Sequence, residues 1–155
     1  MVFASSTEQT GALGGLSGAD TICNNLASSA SPALEGTFAA WLSNSTTDAR
    51  DRIPNAVFKR VDGATVADNL ADLTDGTIDN RINLNENGLA PDDVHSFTGT
   101  NTDGTKSSDT CLDWTSGSGS DLNMRGKTDQ TNSKWTNENS EVCDHASGIY
   151  CFQIS

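Results

Sequence analysis

The chain has 155 residues, enough to bury one sizeable core, yet only 34% of them are hydrophobic. Asp and Glu number 21 against nine Lys and Arg, for a formal net charge of −12, and twelve of the acids fall between Asp62 and Asp121 beside only Arg81 and Lys106. That balance argues against nucleic acid, heparin-like polymers and anionic membrane surfaces as partners, and no apolar run reaches the length of a membrane span.

In chain order, residues 2–5 read as a short opening strand. Ser17 and Asp20 fit an S-x-x-D capping box, and behind them Ala19, Ile22, Cys23, Leu26, Ala27 and Ala30 recur at helical spacing. A helix of about three turns is expected there, with Cys23 on its buried face. Gly14, Gly15 and Gly18 lack the G-x-G-x-x-G order and a following P-loop lysine, so they read as a tight turn rather than a phosphate cradle. GTFAAWLSNST is expected to be a strand carrying Phe38 and Trp41. TTDARDRI reads as a short helix capped by Thr46 or Thr47 and ended by Pro54. Residues 57–61 and 65–66 flank Asp62-Gly63, a hairpin signal. Residues 68–88 read as loops with one short strand near 81–84.

The second half opens with HSFTGT as a strand and NTDG as a turn. CLDWTS is expected to be a strand holding Cys111 and Trp114. The Gly/Ser/Asn-rich stretch 116–133 reads as a long loop, KWTN as a short strand and GIYCFQI as the closing one. The fold class is therefore α+β: one or two helices packed on an irregular, mostly antiparallel sheet with long loops. Residues 1–155 are expected to form a single domain, cut from a larger secreted or surface protein.

The four cysteines are Cys23, Cys111, Cys143 and Cys151. There is no C-x-x-C pair, His95 and His145 form no ligand cluster with them, and no Cys–His–Asn signature is visible. Two disulfides and an oxidising compartment, extracellular or periplasmic, are the expectation. Spacing does not choose among the three possible connectivities.

One cysteine in the first helix, one mid-chain, and two near the end as C-x7-C form a recognisable frame. With the stretches "GGLSGADTIC", "GTFAAWLS", "SFTGTNTDGTKSSDTCLDW" and "VCDHASGIYC", the chain resembles the C-type lectin-like fold. Within it, the likeness is to endostatin-type domains, the C-terminal domain of collagen XVIII and its bacterial relatives. The resemblance runs from about Gly11 to Cys151. It implies pairing of Cys23 with Cys151 and of Cys111 with Cys143. The sugar-and-calcium motifs of lectins are not matched. Their nearest counterparts are Ala90-Pro91-Asp92 and Trp135-Thr136-Asn137. The arginine-rich heparin face and the N-terminal zinc histidines of endostatin also have no equivalent.

The resemblance directs attention to the stretch between Cys111 and Cys143. Ligand contact is expected from Asn123, Asp129, Trp135 and Asn137, although the three tryptophans also read as core. No cofactor is required. If calcium binds, Asp121, Asn123, Asp129, Asn137 and Glu138 are the expected oxygen ligands, because calcium takes six to eight oxygens. No G-x-S-x-G elbow is present, adjacent acids such as Asp92 and Asp93 do not face one another across a substrate, and His95 has no visible partner. The expected function is non-catalytic recognition or adhesion at a cell surface, with a glycan or protein as ligand. The alternative is a structural module of a larger envelope or fibre protein.

Overall fold

The computed structural model describes residues 1–155. Its organising element is the last strand, β8 (Gly148–Gln153), around which the sheet is built. The other strands are β1 (Val2–Ala4), β2 (Phe38–Ala40), β3 (Phe58–Lys59), β4 (Thr65–Ala67), β5 (His95–Phe97), β6 (Leu122–Lys127) and β7 (Asn139–Val142). β8 pairs antiparallel with β1 (Phe3↔Cys151) and with β2 (Ala40↔Cys151), and parallel with β5 (Phe97↔Ile149). β6 then adds antiparallel to β5, and β7 antiparallel to β6, giving the order β1-β8-β5-β6-β7 with β2 also on β8. β3 and β4 form a separate hairpin turning at Gly63, whose φ of 89° suits glycine.

β8 reads as an unbroken apolar run because both of its faces are covered. Tyr150 and Phe152 enter one core cluster with Val2, Ala4, Trp41, Phe58 and Trp135. Ile149 and Cys151 enter another with Phe3, Phe38, Phe97, Trp114 and the helix α1 (Gly15–Ser29). Ala19, Cys23 and Ala27 form the buried stripe of α1, spaced at i, i+4 and i+8. Small residues there let the helix lie close to the sheet. The disulfide Cys23–Cys151 joins that stripe to the centre of β8, and Cys111–Cys143 forms the second bridge. The pairing implied by the resemblance is the one present, and formed disulfides are consistent with an oxidising environment. No helix is long and apolar enough to cross a membrane.

Several expectations are corrected. α1 begins after Gly14 with no side-chain cap, so Ser17 and Asp20 lie inside the helix. Asp20 instead accepts the Ala40 N–H at 2.8 Å and pairs with Arg52 at 2.7 Å, tying the helix to β2. The segment after Thr47 is a 3-10 turn, Ala49–Arg52, preceded by Asp48 without a side-chain cap. No strand forms at 81–84; that stretch meets β1 through a single bond from the Ala4 N–H to the Leu84 carbonyl. A short helix, α2 (Leu70–Leu73), stands where loop was expected, capped by Asn69. KWTN contributes to a 3-10 turn, Ser133–Trp135, and β7 was not foreseen.

The largest correction is β6, a six-residue strand inside the expected loop 116–133. Its sequence, LNMRGK, alternates apolar and polar only over its first four residues, and there the polar Asn123 and Arg125 are buried while Leu122 is exposed, the reverse of the usual pattern. Polar pairing holds that inward face. The Asn123 side-chain amide donates to the Glu141 carbonyl at 2.9 Å, and Arg125 Nε donates to Asn139 Oδ1 at 3.0 Å. Gly126 is required because a Cβ there would overlap the Trp135 carbonyl oxygen.

Candidate functional site

Cys111–Trp114 is not a strand. All four residues have positive φ, at 50°, 52°, 58° and 65°, so the chain makes one turn of left-handed helix without a glycine. Each L-residue in that conformation costs about 1–2 kcal/mol, and such a run persists only where its surroundings over-determine it.

The restraints are identifiable. Cys111 is bonded to Cys143. Trp114 is fully buried, donates its indole N–H to the Ser43 carbonyl at 2.8 Å, and packs at 5.7 Å on Phe97. The Asp113 carboxylate accepts from the Ser45 N–H at 2.8 Å and the Ser45 hydroxyl at 2.6 Å. Those bonds, the hydroxyl's first, hold the Asp113 carboxyl below its usual range. Thr110 caps the turn, its hydroxyl accepting from the Asp113 N–H at 3.3 Å. The Thr115 hydroxyl donates to the Leu112 carbonyl at 2.6 Å, but the Leu112 side chain is 65% exposed.

The turn forms one wall of the largest cavity on the molecule, about 600 Å³. Ser45, Ser108, Asp109 and Thr110 line it from one side, and Ser120, Asp121 and the exposed Leu122 from β6 and its approach. Asp109 accepts from the Ser140 hydroxyl and Asp121 from the Ser116 hydroxyl. None of Asp109, Asp113 or Asp121 has a Lys, Arg or His within ion-pair distance. The groove thus offers carboxylate acceptors, hydroxyls that both donate and accept, and two leucines at its rim. It contains no histidine, and so no imidazole to act as a general base.

Of the residues expected to contact ligand or calcium, Asp121 is the one at this groove. Asn123 and Trp135 are buried and present no surface. Asp121 precedes β6 and Asp129 follows it, which sets them about 20 Å apart along a strand rising roughly 3.3 Å per residue. Asn137 turns its amide to the Thr100 carbonyl at 3.3 Å. Glu138 lies at the far end of β6, 3.6 Å from His95 Nε2 and 3.9 Å from Lys127. The five expected calcium ligands therefore do not converge. His95 does have a partner, since Asp93 lies 2.9 Å from its Nδ1.

Two further charge groupings stand apart from the groove. Asp68, Asp72 and Asp79 bring one carboxylate oxygen each to within 4.8 Å of one another, an arrangement that could coordinate a divalent cation. The basic residues near 50–60 are largely spoken for: Arg52 pairs with Asp20, and Arg60 with Asp62 at 2.6 Å. The Arg60 hydrogen bonds lower the Asp62 carboxyl to about 2.

Residues 6–134 match the model of a family described as "Protein of unknown function (DUF1554)". That stretch holds Cys23, Cys111, the left-handed turn and every residue lining the groove. No curated protein matches the chain.

Proposed function

The chain belongs to this family of unknown function, and we propose from its own geometry that it is a non-catalytic extracellular recognition domain of C-type lectin-like, endostatin-type architecture. The cysteine frame supports the architecture: a first helix bonded to a closing strand, and a second bridge spanning the mid-chain ligand region. One observation carries the function. The largest cavity is walled by a strained left-handed turn that spends several kcal/mol of folding energy to hold one leucine out in solvent. Strain retained against folding points to a binding role.

The ligand is a glycan or an extracellular protein. Sugar hydroxyls suit the Asp109, Asp113 and Asp121 acceptors, and apolar ring faces or side chains suit Leu112 and Leu122. Calcium is not required by this reading. Where a divalent cation does bind, Asp68, Asp72 and Asp79 supply three of the oxygens it takes.

The test is binding to arrays of glycans and extracellular proteins, with and without calcium, by wild type, Leu112→Ala and Asp109→Asn. Recognition at the groove gives at least one ligand lost by both variants. Ligands retained equally by all three proteins would place recognition elsewhere, and no ligand at all would leave a purely structural module.

A further inference from the structure

A second cavity, of about 180 Å³, lies away from the groove, where three loops meet. Pro32 and Leu34 come from the turn after α1, Val61 from the β3–β4 hairpin, and Glu86 with Asn87 from the bend at 85–89. Glu86 is only 5% exposed, yet it lines this cavity. Its oxygens accept from the Ser6 N–H at 3.1 Å, from the Ser6 hydroxyl and, at 3.5 Å, from the Asn87 side-chain amide. All three donors are neutral, and no Lys, Arg or His lies within ion-pair distance of Glu86. The nearest charged neighbour in the lining, Asp62, is itself an acid and is engaged by Arg60.

A carboxylate this buried is ordinarily paired with a cation, because hydrogen bonds from neutral groups leave its charge uncompensated in a poorly solvated site. A carboxylate offers about four lone-pair positions; Ser6 fills two and the Asn87 amide, at longer range, a third, so one is left open. Beside it the lining carries the apolar Pro32, Leu34 and Val61 together with the polar Ser31 and Asn87. Apolar side chains next to an anion without a cation are complementary to a short alkyl chain ending in an ammonium. An anion would be repelled by Glu86 and Asp62, and a neutral chain would leave the carboxylate uncompensated. We propose that this cavity binds a primary alkylammonium group, with Glu86 as its counter-ion and Leu34 and Val61 against its methylenes. The group is either the side chain of a lysine on a partner protein or a free alkylamine, since both carry the same chemistry.

The experiment follows backbone amide shifts in NMR spectra of the full chain. The probes are n-butylamine, Nα-acetyl-lysine N-methylamide, and n-butanol as a neutral chain of the same length. The expected result is saturable shifts at Val61, Asn87 and Gly88 with both ammonium probes and none with butanol. Tighter binding of the lysine derivative indicates a protein source, and tighter binding of butylamine a free amine. Glu86→Gln should weaken either probe by about tenfold or more, because it removes the charge from the bond. Leu34→Trp, which leaves the Glu86–Ser6 contact in place and fills the cavity, should abolish the shifts even if Glu86→Gln folds poorly. Absence of shifts at millimolar probe, equal shifts from butanol, or unchanged binding by folded Glu86→Gln each overturns the proposal.

Discussion

Replacing Leu112 by Ala and separately by Gly isolates the backbone strain at the groove. Both changes delete a side chain that is 65% exposed, so the small loss of burial is common to the two. What differs is the Cβ. At an ordinary right-handed or extended position Gly is less stable than Ala by about 0.5–1 kcal/mol, because the unfolded chain gains freedom. At φ 52° the sign should reverse. Ala retains the left-handed penalty of about 1–2 kcal/mol and Gly does not. Subtracting the entropy term leaves Leu112→Gly more stable than Leu112→Ala by about 0.5–1 kcal/mol. Urea unfolding of both variants, with coincident fluorescence and circular dichroism transitions, measures the difference. In a chain of this length the melting temperatures should separate by about 1–4 °C in the same direction. Both variants should lose groove ligands, since neither presents the leucine. If Leu112→Ala proves the more stable of the two, the turn is not left-handed at Leu112 and the argument from stored strain collapses.

Removing the second bridge by Cys111→Ala with Cys143→Ala, across a sequence separation of 32, should cost roughly 4 kcal/mol; a loss under about 1 kcal/mol in the same unfolding assay would contradict the restraint assigned to it. Gly126→Ala should destabilise by about 2–3 kcal/mol, because the new methyl meets the Trp135 backbone rather than a movable side chain; a neutral effect would place β6 differently. Acid titration should show stability present above about pH 4 and lost toward about pH 2, because Asp62 is held near 2 when folded and Asp103 and Asp113 are also lowered, so the unfolded chain binds protons first; Asp62→Asn should flatten that slope in urea midpoints measured across the range. If a divalent cation binds at Asp68, Asp72 and Asp79, millimolar calcium should raise the melting temperature of wild type over a chelator control, Asp72→Ala should abolish the rise, and Asp121→Ala and Glu138→Ala should keep it.

The periodic and apolar parts of this fold could be read from the sequence. The α1 stripe, the Phe38–Trp41 segment, the Asp62-Gly63 hairpin and β8 all carry spacing that only packing explains. The elements held by polar pairing could not. β6 buries Asn123 and Arg125 through bonds to β7, and nothing in LNMRGK announces partners 14 to 18 residues away. The same blindness hid the groove. Asp113 is fixed by Ser45 across 68 residues, and of the left-handed run only Asp113 is a residue type that tolerates that region, so Cys111, Leu112 and Trp114 run against local preference. The residues of the stretch between Cys111 and Cys143 were expected to act together, yet β6 separates Asp121 from Asp129 and Glu138. His95 has two acidic partners, Asp93 from two residues away and Glu138 from a distant part of the chain, and only the second is hidden by sequence distance.

We propose that ligand enters the groove beside the left-handed turn. Hydrogen exchange with and without the tightest ligand from the array screen tests it directly. Protection should concentrate at residues 108–113 and 120–122 and at Ser45, with the Glu86 loop and the Asp68–Asp79 region unchanged. Protection confined to any other surface, with residues 108–113 exchanging at the free rate, would contradict the account.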